Sequence, residues 1–213
     1  MSYSVKEIYL TLQGEGAQQG RTAVFCRFSG CNLWSGRESD RSTAECTFCD
    51  TDFVGTDGPG GGKYVDVKSL VTAIELEWTK KVKSRRERLV VFTGGEPALQ
   101  LTFELTKSLK DVGFECAVET NGTLAIKADL DWITVSPKNT KKLETHTGDE
   151  IKLVYPQENV TPELFEKLDF QHFFLQPKDD EDFDDNLRKS IDYCLRHPRW
   201  RLSVQVHKYI GID

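Results

Sequence analysis

Short runs rich in β-branched and aromatic residues alternate along this chain with stretches whose apolar positions recur every three or four residues. The runs 22–28, 88–93, 114–119, 131–136, 149–154, 171–176 and 201–206 read as strands, and a further short strand fits Val5–Ile8. Between them, Val67, Leu70, Val71, Ile74 and Trp78 share one helical face behind Asp66, a residue type that caps helix N-termini. Leu101, Leu105, Leu109 and Val112 make a second stripe, with Pro97 suited to a first turn and Gly113 to a stop. Helices are also expected over 161–168 and 184–197. Apolar strands alternating with helices belong in parallel βαβ units with right-handed crossovers.

A complete eight-fold α/β barrel takes ~250 residues, and this chain has 213. The spans between 114–119, 131–136 and 149–154 are too short to hold a full crossover helix each. The expectation is therefore one α/β domain over 1–213, an incomplete α/β barrel with some helices missing. Function in such folds gathers at the C-terminal ends of the strands. Cys31, Thr93, Glu119, Ser136, Gln176 and His207 all fall at or just after expected strand ends, consistent with one mouth.

Composition narrows the class. Hydrophobic residues are 38% and charged residues 29%, which argues for a globular chain. No apolar run approaches the ~20 residues of a membrane span, and no secretory leader pattern opens the sequence, so a cytoplasmic location is expected. The net charge of −6 speaks against a nucleic-acid partner. The basic run 80–88 and the acidic run 179–185 read as solvated connections, and Gly58–Gly62 as a flexible loop.

Six cysteines in a cytosolic chain do not suggest disulfides. Cys116 and Cys194 sit in regular apolar patterns and read as core thiols. Cys26, Cys31, Cys46 and Cys49 crowd together, the first sign of a metal. The pair Cys46/Cys49 has zinc-knuckle spacing, and on cysteines alone a zinc site with Cys26 as fourth ligand is favoured. Cys31, Cys46 and Cys49 without Cys26 instead suit three irons of a 4Fe–4S cluster with the fourth left open. Two observations favour the cluster. Cys26 lies mid-strand and need not reach the loop. Zinc also leaves unexplained the Thr93-Gly94-Gly95-Glu96-Pro97 turn after the strand 88–93, where glycines permit close backbone approach and Glu96 offers a carboxylate to a cationic ligand group.

The three-cysteine loop together with Gly94-Gly95-Glu96 resembles the radical S-adenosylmethionine (SAM) enzymes. The usual C-x3-C-x2-C spacing is here C-x14-C-x2-C. That departure, with Leu10-Thr11-Leu12-Gln13-Gly14-Glu15-Gly16 ahead of it, is similar to the 7-carboxy-7-deazaguanine synthase family. Glu119-Thr120-Asn121-Gly122, Val135-Ser136-Pro137-Lys138, Gln176-Pro177-Lys178-Asp179 and the tail His207-Lys208-Tyr209-Ile210-Gly211 match as well. The resemblance runs from residue 9 to the C-terminus, with 32–45 as an insertion in an extended cluster-binding loop of about 29–63.

The resemblance implies a radical SAM lyase of queuosine biosynthesis. Its substrate would be 6-carboxy-5,6,7,8-tetrahydropterin and its products 7-carboxy-7-deazaguanine and ammonia, formed by radical ring contraction. It implies a 4Fe–4S cluster on Cys31, Cys46 and Cys49, reusable SAM, and Mg²⁺. SAM contacts would fall on Phe48, Cys49, Asp50, Gly95, Glu96, Ser136, Pro137, Lys138, Gln176, Pro177, Lys178 and Asp179. Mg²⁺ would fall on Thr51 with help from Asp50, since hard cations take oxygen ligands. Substrate contacts would fall on Leu12, Gln13, Gly14, Glu15, Arg27, Thr93, His207 and the terminal Asp213. An inward-facing Arg27 needs an anion beside it, and the substrate carboxylate is one. A homodimer and a flavodoxin- or ferredoxin-like electron donor are implied too. The competing readings are another radical SAM enzyme, such as a glycyl-radical activase, and a zinc-stabilised binding module.

Overall fold

The computed structural model describes residues 2–138 and 143–212. Among the described residues nine strands form one open sheet: β1 (Tyr3–Leu12), β2 (Thr22–Phe28), β3 (Gly62–Tyr64), β4 (Arg88–Gly94), β5 (Phe114–Thr120), β6 (Trp132–Val135), β7 (Thr147–Tyr155), β8 (Asp169–Pro177) and β9 (Trp200–Leu202). Their order is β3-β1-β2-β4-β5-β6-β7-β8-β9. From β2 onward every pairing is parallel, while β1 runs antiparallel to both β2 and β3. The sheet does not close on itself, so the architecture is the expected incomplete α/β barrel.

Helices cover only part of one face. Helix α1 (Val67–Thr79) starts at a reciprocal Asp66/Ser69 capping box and buries Leu70, Val71, Ile74 and Trp78. Helix α2 (Phe103–Asp111) starts at Thr102, whose hydroxyl accepts from the Leu105 N–H, and buries Leu105 and Leu109. Helix α3 (Phe183–Arg196) covers the far end of the sheet. Among the described residues no helix connects β5 to β6 or β6 to β7.

Strand alternation divides the side chains. Val24, Cys26, Phe28, Val90, Phe92, Cys116 and Val118 face α1 and α2 in one apolar core. Their sequence neighbours Ala23, Leu89, Val91 and Ala117, with Phe25 and Trp132, fill the other side of the sheet. Ile151, Leu153, Phe173 and Leu175 build a second core with Trp200 and Tyr193. Cys116 is buried as expected, and Cys194 is half-buried.

Four sequence expectations change. The helix expected from Pro97 is a 3-10 turn at Pro97–Leu99 followed by a break, and Thr102 caps the true helix. The helix expected over 161–168 is only the 3-10 turn Pro162–Leu164; so short a segment does not repay helix nucleation. The strand expected over 201–206 stops at Leu202, because the Val206 N–H turns away to the Gly14 carbonyl (3.1 Å) and a short helix, α4 (Val206–Ile210), follows. The stretch 58–62 is tied to β1 rather than loose: the Ile8 N–H donates to the Pro59 carbonyl (2.7 Å) and the Gly58 N–H to that of Lys6 (3.0 Å), and Gly62 opens β3.

Candidate active site

The concave side of the sheet holds a cavity of about 400 Å³ at the C-terminal strand ends. Its walls come from segments far apart in sequence: the end of β1, β2, the loop after Cys46, and the ends of β4 to β8. The α4 helix completes them. Alternation explains which residues point inward. Arg27, Thr93, Glu119, Lys152, Val154 and Gln176 have the parity opposite to the core residues of their own strands.

The cluster loop leaves β2 at Gly30 and is pressed against the Gly94-Gly95 turn. The Glu96 N–H donates to the Gly30 carbonyl at 2.9 Å. A methyl group on Gly95 would lie 2.2 Å from that carbonyl oxygen and 2.7 Å from the Cys31 Cβ, so only glycine fits. The Leu33 N–H donates to the Cys31 Sγ at 3.4 Å. Burial raises the Cys31 thiol, and the neighbouring Cys49 adds to this. The Cys46 thiol donates to Cys49 and lowers it to about 6, with the Thr51 N–H and Lys138 helping. Three thiols that sense one another on a single loop suit a polynuclear iron–sulfur centre that takes one thiolate per iron. Cys26 cannot join them as the fourth zinc ligand: it is fully buried in the opposite core, and burial pushes its thiol strongly up.

Glu96 is the clearest change from the sequence expectation. Its carboxylate is fully buried and accepts from Ala98 N–H (2.8 Å), Thr120 hydroxyl (2.7 Å) and Asn121 N–H (2.8 Å). It staples the end of β4 to that of β5, and Gly95 rather than Glu96 lines the cavity. Pro137 also stays out of the wall, whereas Phe48, Ser136, Lys138, Gln176, Pro177, Lys178 and Asp179 reach it. The Lys138 ammonium lies 5.1 Å from the centre of the Phe48 ring. Gln176 turns its amide N–H to Glu15, while its Oε1 is itself buried and has no hydrogen-bond partner.

Asp50 and Asp179 are bridged by the Lys208 ammonium, 2.9 Å from the Asp50 Oδ2. Burial raises the Asp50 carboxyl, but Lys208 outweighs it and holds Asp50 below its usual range. Thr51 lines the cavity with its hydroxyl-bearing side chain half-buried.

The residues assigned to substrate from the sequence reach the same cavity: Leu12, Gln13, Gly14, Glu15, Arg27, Thr93 and His207 all line it. His207 sits in α4 instead of at a strand end. Its Nδ1 would lie 2.3 Å from any Cβ on Gly14, so the glycine makes room for the imidazole. Arg27 is held by Glu7 (Nε to Oε1, 2.7 Å) and the Tyr9 hydroxyl (2.9 Å), the anion that its inward position requires. Asp213 lies outside the described residues.

Sequence reasoning missed the charged group at the cavity floor. The Lys152 Nζ lies 2.6 Å from Glu15 Oε2 and 2.8 Å from Glu119 Oε2. Gln13 donates to Glu119 (3.2 Å) and Gln176 to Glu15 (3.3 Å). Burial disfavours the Lys152 ammonium, but the carboxylates of Glu119, Glu15 and Glu150 outweigh it and hold the charge. Glu15 is lowered because Lys152 overcomes its burial, whereas burial leaves Glu119 raised to about 7. The available signal was a lysine interrupting the apolar run Ile151-Lys152-Leu153-Val154. Lys208, and Gln205 just before α4 in the cavity lining, carried no such signal.

No protein-family model matches the sequence. Curated relatives do. The 7-carboxy-7-deazaguanine synthases of Caulobacter vibrioides and Bradyrhizobium diazoefficiens are each 58% identical over 212 residues, covering all of both chains. That of Haemophilus influenzae is 32% identical over 226 residues, covering all of this chain and 95% of its own. Among solved structures, QueE from Escherichia coli superposes with a TM-score of 0.66 at 26% identity, over 97% of this chain and 95% of that one.

Proposed function

This chain belongs to the 7-carboxy-7-deazaguanine synthase family and is a radical SAM lyase of queuosine biosynthesis, and from that premise we propose how its cavity divides the work. The family implies a 4Fe–4S cluster and SAM. Cys31, Cys46 and Cys49 are the cluster ligands in this reading, and their shared loop and mutual influence support it. When bound, these groups supply the radical that removes a hydrogen atom from the substrate.

The chain's own residues bind and orient. Gly95, Ser136, Lys138 and the segment Gln176–Asp179 lie on the wall beside Phe48, Cys49 and Asp50, and there hold SAM. Lys138 offers an ammonium to the SAM carboxylate. Arg27, also in the cavity lining, is fixed by Glu7 and Tyr9 and meets the carboxylate of 6-carboxy-5,6,7,8-tetrahydropterin bidentately. Gln13, Glu15 and His207 meet the ring's polar edge. Lys152 keeps Glu15 ionised as an acceptor, while Glu119, raised to about 7, holds or gives up a proton near neutrality. Thr51 is the Mg²⁺ ligand of the proposal; Asp50 is already engaged by Lys208.

A flavodoxin- or ferredoxin-like electron donor, a homodimer, a single-domain organisation and a cytoplasmic location complete the proposal on the family resemblance. Among the described residues no helix is long and apolar enough to cross a membrane.

One observation carries the reading: a single cavity is lined both by the cluster-loop residues Phe48–Asp52 and by Gln13–Glu15, Arg27 and His207. Mass spectrometry of anaerobic reactions with the tetrahydropterin, SAM and a reductant tests it. The expected products are 7-carboxy-7-deazaguanine and ammonia, with a Mg²⁺ dependence that weakens in Thr51→Ala. SAM cleavage with no pterin conversion would point to another radical SAM activity.

A further inference from the structure

The segment between Cys31 and Cys46 is a loop whose ends meet. The Leu33 carbonyl accepts from the Glu45 N–H (3.1 Å) and the Cys46 N–H (3.4 Å). Its interior is built around Trp34, which is buried, packs edge-on against Phe53 at 5.6 Å, and donates its indole N–H to the Arg37 carbonyl at 3.1 Å. A 3-10 turn, Glu38–Thr43, then carries Arg41 back over the cluster cysteines.

Arg41 uses every side of its guanidinium. The plane lies over the Trp34 ring, 3.9 Å from its centre. Nε and Nη2 grip the Glu38 carboxylate at 2.7 and 2.5 Å. Nη1 donates to the Thr47 carbonyl at 3.1 Å and to the Cys49 carbonyl at 3.0 Å. Two backbone carbonyls of the Cys46–Cys49 turn are thus held by one rigid, permanently charged group. The guanidinium also stands within electrostatic reach of both cysteines.

We propose that Arg41 is a positioning residue for the iron–sulfur centre: it fixes the turn that carries Cys46 and Cys49 and places beside them a positive charge that raises the cluster's reduction potential. The insertion 32–45 then has a task, which is to deliver that arginine. The inference rests on the cluster reading above. It follows from electrostatics, since the cluster gains negative charge on reduction and a nearby cation stabilises the reduced form. Lys138 is the second cation facing these cysteines, Asp50 and Glu96 are the facing anions, and Glu38 partly masks Arg41 from behind.

The test uses the full chain with its cluster reconstituted anaerobically and no substrate present. It compares iron and sulfide content, iron loss to a chelator, and an EPR-monitored redox titration. Arg41→Gln is expected to lose iron faster and to lower the midpoint so that roughly tenfold less cluster is reduced at a fixed poise, about 59 mV for one electron. Arg41→Lys keeps the charge but cannot span both carbonyls and stack on Trp34, so iron loss quickens while the midpoint stays near that of the unaltered chain. Glu38→Gln unmasks the guanidinium and shifts the midpoint upward, a readout that survives even if Arg41→Gln takes up no cluster. An unmoved midpoint in Glu38→Gln, or in an Arg41→Gln chain that holds its iron, overturns the proposal. An unaltered chain that forms no 4Fe–4S cluster overturns the reading beneath it.

Discussion

The Lys152 ammonium on β7 lies 2.8 Å from the Glu119 carboxylate on β5, although β6 separates the two strands in the sheet. Thr134 of β6, the residue paired with Glu119 on one side and Glu150 on the other, donates its hydroxyl to Glu150. Glu15, from the loop after β1, closes the group from above.

Removing the shared cation exposes how much depends on it. In Lys152→Met, Glu15 and Glu119 lose their common partner while still buried. Breaking such a pair costs roughly 3–5 kcal/mol. Denaturant unfolding at neutral pH is expected to show a loss of that order, partly recovered as the pH is lowered and the carboxylates take up protons.

Glu119 makes a signed pH prediction. Its folded value near 7 lies above the ordinary carboxyl value of 4.5, so folding draws in a proton. The stability from this group is fully present below about 4.5 and is lost as the pH rises through about 7, at up to ~1.4 kcal/mol per pH unit within the window. Glu119→Gln cannot titrate. Unfolding measured from pH 5 to 8 is expected to show the unaltered chain losing ground to this variant across the window, then running parallel above it.

The Gly94-Gly95 turn gives a steric prediction. A Cβ at Gly95 collides with the Gly30 carbonyl and the Cys31 Cβ, both backbone-borne and unable to swing aside. Gly95→Ala is expected to keep its sheet, seen by far-UV circular dichroism, but to bind less than half the iron of the unaltered chain after reconstitution.

The cysteines separate by face. Cys31→Ala, Cys46→Ala and Cys49→Ala are each expected to abolish reductive SAM cleavage. Cys26→Ala lies in the helix-side core and removes only a small buried thiol. It should keep a full cluster and its activity, with stability lower by about 1 kcal/mol. Equal iron loss in the Cys26 variant would return the chain to a four-cysteine site.

What the sequence determined by itself was local. Alternation in 22–28, 88–93 and 114–119 set which residues face the helices and which face inward, because successive strand residues point to opposite sides. The same parity separated Cys26 from Arg27. Asp66 and the apolar stripe of 67–78 marked where α1 starts and packs, and Gly113 where α2 stops. The cysteine spacing and Gly94-Gly95 marked the chemistry, since few turns need both adjacent glycines and thiolates.

Tertiary structure decided everything that depended on distance through space. Nothing local tells that Lys208 reaches Asp50 and Asp179, or that His207 comes to rest against Gly14 in a helix, because those contacts join segments that meet only in the folded chain. Glu96 shows the limit most directly. Its position after two glycines suggested a carboxylate offered to a ligand, but β4 and β5 pair in the register that brings Thr120 and Asn121 to its oxygens. A buried carboxylate takes the donors its neighbours offer, and only the assembled sheet determines which neighbours those are.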